Sequence, residues 1–297
     1  YKRQPEYRYF PVSMDTPTFG SYAGSDNETG GLSMDLGIAG RVAMVTGATR
    51  GIGRASALRF LQEGARVAIC SRDAHDAERA AAELSSETGG ECAGFRCDTS
   101  QAKDIDAFVD AVLARFGRID ILHNNAGTMH SGRFETLTEE GLRRQLDTKL
   151  FGFMHLIRRV HPVMKQAGWG RIVNMIGGAG KEPDPYMFGS GVTNSALLNM
   201  TKSLSTEFAP DHILVNAVCP GWVDTSLWRA NADGLRKEMG AVSEEEARRL
   251  ASRKNALGRF GKPEELADAV VFLCSERASY ITGVSLNLDG GRLKGLW

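Results

Sequence analysis

From position 41 onward the chain alternates between two kinds of segment. Short runs rich in apolar and β-branched residues occupy 41–47, 66–70, 92–97, 119–124, 171–176, 213–218 and 284–288. Between them lie longer stretches, approximately 52–63, 74–88, 101–116, 138–167, 186–209 and 263–276, with apolar residues at helical spacing. In 101–116, Ile105, Phe108, Val109, Val112, Leu113 and Phe116 form one such stripe. Most of the short runs place apolar residues at successive positions, on both faces of a strand. They predict parallel strands covered by helices on both sides. The expected fold is α/β: a single doubly wound Rossmann-type domain, 39–297, with a seven-stranded parallel sheet and six helices. No internal repeat or second domain is evident.

Two stretches depart from the alternation. Residues 1–38 carry Pro5, Pro11 and Pro17 with several glycines and tyrosines and no sustained period, and read as an extended arm. Disordered tails are poor in aromatics, so Tyr7, Tyr9 and Phe10 are candidate anchors onto the domain or a partner subunit. Residues 222–260 are polar and helix-prone and read as a substrate lid inserted before the last helix and strand.

Composition narrows the function classes. Lys plus Arg and Asp plus Glu both total 36, so the net charge is zero and gives no electrostatic case for nucleic acid or an anionic membrane surface. No run approaches the roughly 20 apolar residues of a bilayer span, and no apolar signal-peptide core stands near the first residue. The five cysteines are odd in number and lack C-x-x-C spacing, which fits buried thiols in a reducing compartment, read as the cytoplasm, and no metal site. The expected partner is a small-molecule substrate.

The strongest local signal is Thr46-Gly47-Ala48-Thr49-Arg50-Gly51-Ile52-Gly53, following a strand and opening a helix. Gly47 permits the tight turn, Gly51 lets the backbone approach a pyrophosphate, and Gly53 lets the helix pack on the strand. The helix end offers unpaired N–H groups to the phosphates. At the end of the second run, Ser71-Arg72 stands where an NAD site places a carboxylate on the ribose hydroxyls. Arg72 and Arg50 together suit a 2′-phosphate, which favours NADP over NAD. Asp73 is the competing ribose partner if the strand ends later.

The spacing Gly-x-x-x-Gly-x-Gly resembles the short-chain dehydrogenase/reductase family. So do Asn124-Asn125-Ala126-Gly127, the Asp98-Thr99 pair after the third strand, Pro220-Gly221-Trp222-Val223-Asp224-Thr225, and Leu288-Asp289-Gly290-Gly291. The resemblance covers about 39–292. It implies that Asp98 and Thr99 lie by the adenine, that Asn125, Ala126 and Gly127 line the dinucleotide, and that Pro220, Gly221, Val223 and Thr225 flank the nicotinamide. It also implies a homodimer or homotetramer built on the two long helices.

The family's catalytic pattern is an Asn on the fourth helix, a Ser after the fifth strand, and Tyr-x-x-x-Lys on the helix that follows. Gapless alignment from Asn174 and Thr201 puts Lys149, Gly177, Ser190 and Asn194 at these positions. A serine hydroxyl at 190 is a weak acid without a base or charge beside it. The candidate substitutes are Lys149, whose amine titrates near neutrality if desolvated, and Tyr186, one turn before Ser190 if the helix already runs there. The charged loop 181–185 is a further candidate. His123 and His155 read as structural.

These features predict an NADP-dependent oxidoreductase with a rearranged acid/base set, acting on an organic carbonyl, alcohol or enone. Two other readings stay open on the sequence: a lyase, isomerase or dehydratase on the same scaffold, and a non-enzymatic NADP-binding sensor or scaffold.

Overall fold

The seven apolar runs become seven strands in the computed structural model: β1 (Val42–Thr46), β2 (Arg66–Ser71), β3 (Cys92–Arg96), β4 (Ile121–Asn124), β5 (Gly170–Met175), β6 (Ile213–Pro220) and β7 (Ser285–Leu288). The structure describes residues 34–129 and 131–295. The aromatic anchors expected at Tyr7, Tyr9 and Phe10 lie outside the described residues. One compact unit spans Leu36–Trp297. Ile38, counted with the arm above, is buried in its core, so the packed chain begins earlier than position 39.

All strand pairings are parallel, in the order β3-β2-β1-β4-β5-β6-β7. The chain steps outward from β1 to β3, then crosses back to place β4 on the other side of β1. The loops leaving β1 and β4 therefore diverge, and a crevice opens at the carboxyl ends of the strands.

Helices cover both faces. On one side α1 (Gly51–Gln62) and α2 (Ala74–Thr88) bury Phe60 and Leu84 against β1 and β2, and α9 (Pro263–Leu273) buries Val270 on the β5 and β6 side of the same core. On the other, α3 (Ala102–Phe116) and α5 (Gly152–Ala167) bury Phe108, Val112, Leu156 and Val160. The stripe of α3 faces this core as its spacing requires, and Gly117 in the left-handed region ends the helix. The stretch 138–167 is not one regular helix. It runs as α4 (Glu139–Gln145), a π-helical segment Leu146–Phe151, and α5. Gly152 explains the close approach there, since a Cβ on it would lie 2.4 Å from the Thr99 carbonyl oxygen.

The stretch 222–260 folds into α7 (Ser226–Glu238) and α8 (Glu244–Ser252) around an apolar cluster of Trp222, Trp228, Leu235, Ala251 and Phe260. Arg248 holds Asp224 through two hydrogen bonds of 3.1 and 2.8 Å, fixing α8 to the segment after β6. No helix among the described residues is long and apolar enough to cross a membrane.

Candidate active site

The turn after β1 has the conformation its glycines allow. Gly47 and Gly51 sit at φ +63° and +57°, and a Cβ on Gly53 would lie 2.5 Å from the Gly47 carbonyl oxygen. Thr46 Oγ1 accepts from the Asn125 and Ala126 N–H groups at 3.0 and 2.9 Å. Asn125 Nδ2 donates to the Thr46 and Gly47 carbonyls at 2.9 and 3.0 Å. Asn125 and Ala126 thus brace the turn.

The first turn of α1 has no side-chain cap and no acidic residue, which leaves its N–H groups open to an anion. Arg50 and Arg72 are exposed beside it. β2 ends at Ser71, and Asp73 Oδ1 accepts from the Asp76 N–H at 2.9 Å as the cap of α2. The residues present fit a dinucleotide: a cradle that a Cβ would fill, an open helix end and two free-standing guanidinium groups.

A cavity of about 190 Å³ continues from this turn along the carboxyl ends of the strands. Ile52, Asn125, Gly127, Pro220, Gly221, Val223 and Thr225 line it. Thr225 Oγ1 also caps α7 by accepting from the Trp228 N–H at 3.4 Å. Asp98 and Thr99 are not among the lining residues. Asp98 accepts from the Ser100 N–H and hydroxyl at 3.0 and 2.8 Å, and Thr99 Oγ1 donates to the Thr148 carbonyl at 3.2 Å. Thr99 therefore holds the π segment that carries Lys149. Thr49 lies half-buried in the glycine turn.

Four side chains meet at the base of the cavity. Lys149 and Asn194 join through Nζ donating to Oδ1 at 2.9 Å, and Gln145 Nε2 donates to Ser190 Oγ at 3.0 Å. All four are buried and all four line the cavity. The π segment sets the direction of Lys149, and Gly127 leaves room for its stem: a Cβ on Gly127 would lie 3.3 Å from Lys149 Cδ and Cε. Burial lowers the Lys149 amine to a pKa of about 8, with buried Cys219 acting in the opposite sense. The amine therefore titrates near neutrality.

α6 (Phe188–Phe208) presents Ser190 and Asn194. A buried chain holds that helix to the sheet: Asn124 Nδ2 to Asn174 Oδ1 at 2.9 Å, Asn174 Nδ2 to Thr201 Oγ1 at 3.0 Å. Gly177 lines the cavity, and a Cβ there would lie 2.8 Å from Asn194 Nδ2.

Tyr186 does not sit on this face. Pro183 and Pro185 and the Asp184 turn, whose Oδ1 accepts from the Tyr186 N–H at 2.9 Å, delay the helix to Phe188. The Tyr186 hydroxyl lies against Gly234 of α7, and the ring walls a second cavity beside the first. The 181–185 loop is structural as well. Lys181 Nζ donates to the Ser285 carbonyl and Asn287 Oδ1 at 2.6 and 2.8 Å, and Glu182 accepts from the Lys294 N–H at 3.1 Å. His123 is buried, with its pKa pushed down to about 4, and His155 meets Asp106 at 3.0 Å.

The sequence did not single out Gln145 or Arg292. Gln145 precedes Lys149 by four residues, a helical spacing that was available as a signal. No motif marks Arg292, which enters the cavity wall from the tail after β7.

A glycine-cradled helix end beside a largely apolar cavity with a buried amine, at a topological switch point, fits a dinucleotide-dependent α/β protein. The sequence model of the family described as enoyl-(acyl carrier protein) reductase matches residues 47–292. The chain is 35% identical over 259 residues to the 3-oxoacyl-[acyl-carrier-protein] reductase FabG of Aquifex aeolicus, covering 87% of this chain and 99% of that one. L-Sorbose reductase from Gluconobacter frateurii, solved with NADPH and L-sorbose, superposes with a TM-score of 0.83 at 34% identity, covering 89% of this chain and 100% of that one. An actinorhodin polyketide ketoreductase solved with NADPH gives a TM-score of 0.83 at 34% identity over 86% of this chain and 98% of that one. The chain belongs to the short-chain dehydrogenase/reductase family.

Proposed function

We propose that this protein is an NADP(H)-dependent oxidoreductase acting on an organic carbonyl, alcohol or conjugated enone, with Lys149 as its proton donor. The observation that carries this reading is a buried amine of depressed pKa on the cavity floor, hydrogen-bonded to Asn194 and close to Ser190 in the same wall.

The four positions that match the family's catalytic pattern are an exchange as much as a loss. The family's Asn position holds Lys149 and its Lys position holds Asn194, and the two side chains touch. The family's Ser position holds Gly177, while a serine stands at the Tyr position, 190. Amide, amine and hydroxyl are all present in one pocket, and the phenol alone has no equivalent. The open helix end and the Gly47, Gly51 and Gly53 turn would hold the diphosphate, with Arg50 and Arg72 on the 2′-phosphate. Two similar structures were solved with NADPH, which supports the same choice here.

When bound, NADPH supplies hydride to the substrate carbon. Lys149, as ammonium, donates a hydrogen bond to the substrate oxygen and gives up its proton as negative charge develops there. For a ketone, hydride and proton together yield the alcohol. For an enone, with hydride delivered to the β-carbon, the Lys149 ammonium would hold the enolate oxygen and a proton from solvent would complete the α-carbon, which asks less of the donor. Asn194 holds the amine in place. Gln145 holds Ser190, whose hydroxyl is a second polar contact for substrate. α7 walls one side of the pocket through Leu227 and Trp228.

Steady-state assay of NADPH oxidation with a panel of ketones and enones tests the proposal. Turnover by the wild type and its loss in Lys149→Met are expected. Absence of turnover with either class, or an unimpaired Lys149→Met enzyme, overturns it.

A further inference from the structure

Two cations line the main cavity, Lys149 and Arg292, and among the described residues no Asp or Glu does. Lys149 is spoken for by Asn194 and by the chemistry. Arg292 is held more loosely. Its guanidinium lies over the Trp222 ring, 4.7 Å from the centroid. Its Nη2 forms an ion pair with Asp184 Oδ2 at 3.7 Å, too long for a hydrogen bond. No described residue takes a hydrogen bond from its five N–H donors. Other arginines nearby are satisfied: Arg248 by Asp224 at 2.8 Å and Arg259 by Glu265 at 2.6 Å. The half-buried Arg292 thus has an ion-pair partner in Asp184 but N–H donors that no described residue fills.

Its position is also fixed. Asp289 accepts from the Gly291 and Leu293 N–H groups at 2.9 and 2.8 Å, folding the tail after β7 back over the cavity mouth. The Trp222 ring beside it limits where the guanidinium can go. A planar guanidinium can match a carboxylate bidentately, in exchange for the long contact to Asp184.

We infer that Arg292 is a specificity-determining residue that seats a carboxylate of the substrate, so that the preferred substrates are keto acids or enone acids. This rests on the reading of the cavity as a substrate pocket, and deepens it.

The test is calorimetric binding to the full chain saturated with NADP+, using 4-oxo-4-phenylbutanoate and its neutral amide as unreactive probes. The acid is expected to bind about tenfold or more tightly than the amide, the worth of one charge-assisted contact. Arg292→Gln should erase that preference, Arg292→Lys should restore part of it, and the NADPH dissociation constant should stay unchanged in both. Acid binding no tighter than the amide, including no binding of either, overturns the inference. So does an Arg292→Gln variant that weakens NADPH, which places the arginine on the cofactor, or inorganic phosphate displacing the acid at equal concentration. If Arg292→Gln fails to fold, the wild-type acid-to-amide ratio and Arg292→Lys still decide it. Turnover plays no part, so failure here and failure of the redox proposal are read separately.

Discussion

Lys149 Nζ and Asn194 Oδ1 stand 2.9 Å apart, linking the π segment before α5 to the middle of the active-site face of α6. The contact puts a positive charge where gapless alignment puts the family's own lysine, but delivers it from the opposite helix. If the pair acts as a unit, its members are interchangeable only together. Lys149→Asn should lose the donor, and Asn194→Lys should force two ammonium groups into contact. The double exchange should recover more kcat and thermal stability than the two single effects predict by addition, by roughly 1 kcal/mol or more. Strict additivity in a double-mutant cycle would show that the two side chains act separately.

Burial of Lys149 has a signature in stability. Its pKa falls from the ordinary 10.5 to about 8 because the charged form is desolvated. Between these values the unfolded chain keeps a proton that the folded chain has released, so unfolding free energy rises with pH through this window. Relative to Lys149→Met, the wild type should gain on the order of 3 kcal/mol from below pH 8 to above pH 10. Denaturant melts of the cofactor-free proteins across this range check it. A constant difference would mean that the amine is ordinary.

Arg50 and Arg72 are exposed, and their side chains make no hydrogen bond or ion pair among the described residues. Replacing either with Ala should therefore leave the melting temperature alone. Each should weaken NADPH by about 1.5–3 kcal/mol, roughly 10- to 150-fold in Kd, and leave NADH nearly unaffected. Fluorescence titration with both cofactors measures this. Equal loss for the two would remove the arginines from the 2′-phosphate.

Tyr186 lies against Gly234 in the wall of the second cavity. Tyr186→Phe should keep kcat within about twofold, where loss of a proton donor costs about a hundredfold or more. A fall of that size would return the phenol to the chemistry.

The parts of this molecule that follow from periodicity and backbone constraint were legible in the sequence. Apolar runs such as 42–46 have no polar face and become buried central strands, and only glycine tolerates the positive φ of Gly47 and Gly51 or the contact at Gly53. Side-chain meetings across elements were not. Lys149 could be flagged, but its partner depends on the π segment, which one helical pattern over 138–167 conceals. The placement of Tyr186 depends on where α6 begins, which the Asp184 turn decides. Arg292 follows the last strand and reaches the cavity only because Asp289 turns the tail, a fold-back that carries no periodic signal.

The most direct measurement is the pH dependence of kcat for NADPH oxidation, in wild type and Lys149→Met, with one turned-over ketone or enone. An ammonium that donates its proton predicts a wild-type rate that falls as pH rises through about 8. In Lys149→Met the rate should be about 10²- to 10⁴-fold lower and should lack that limb. A wild-type profile flat from pH 7 to 9, or a Lys149→Met enzyme that keeps both rate and limb, would contradict the account.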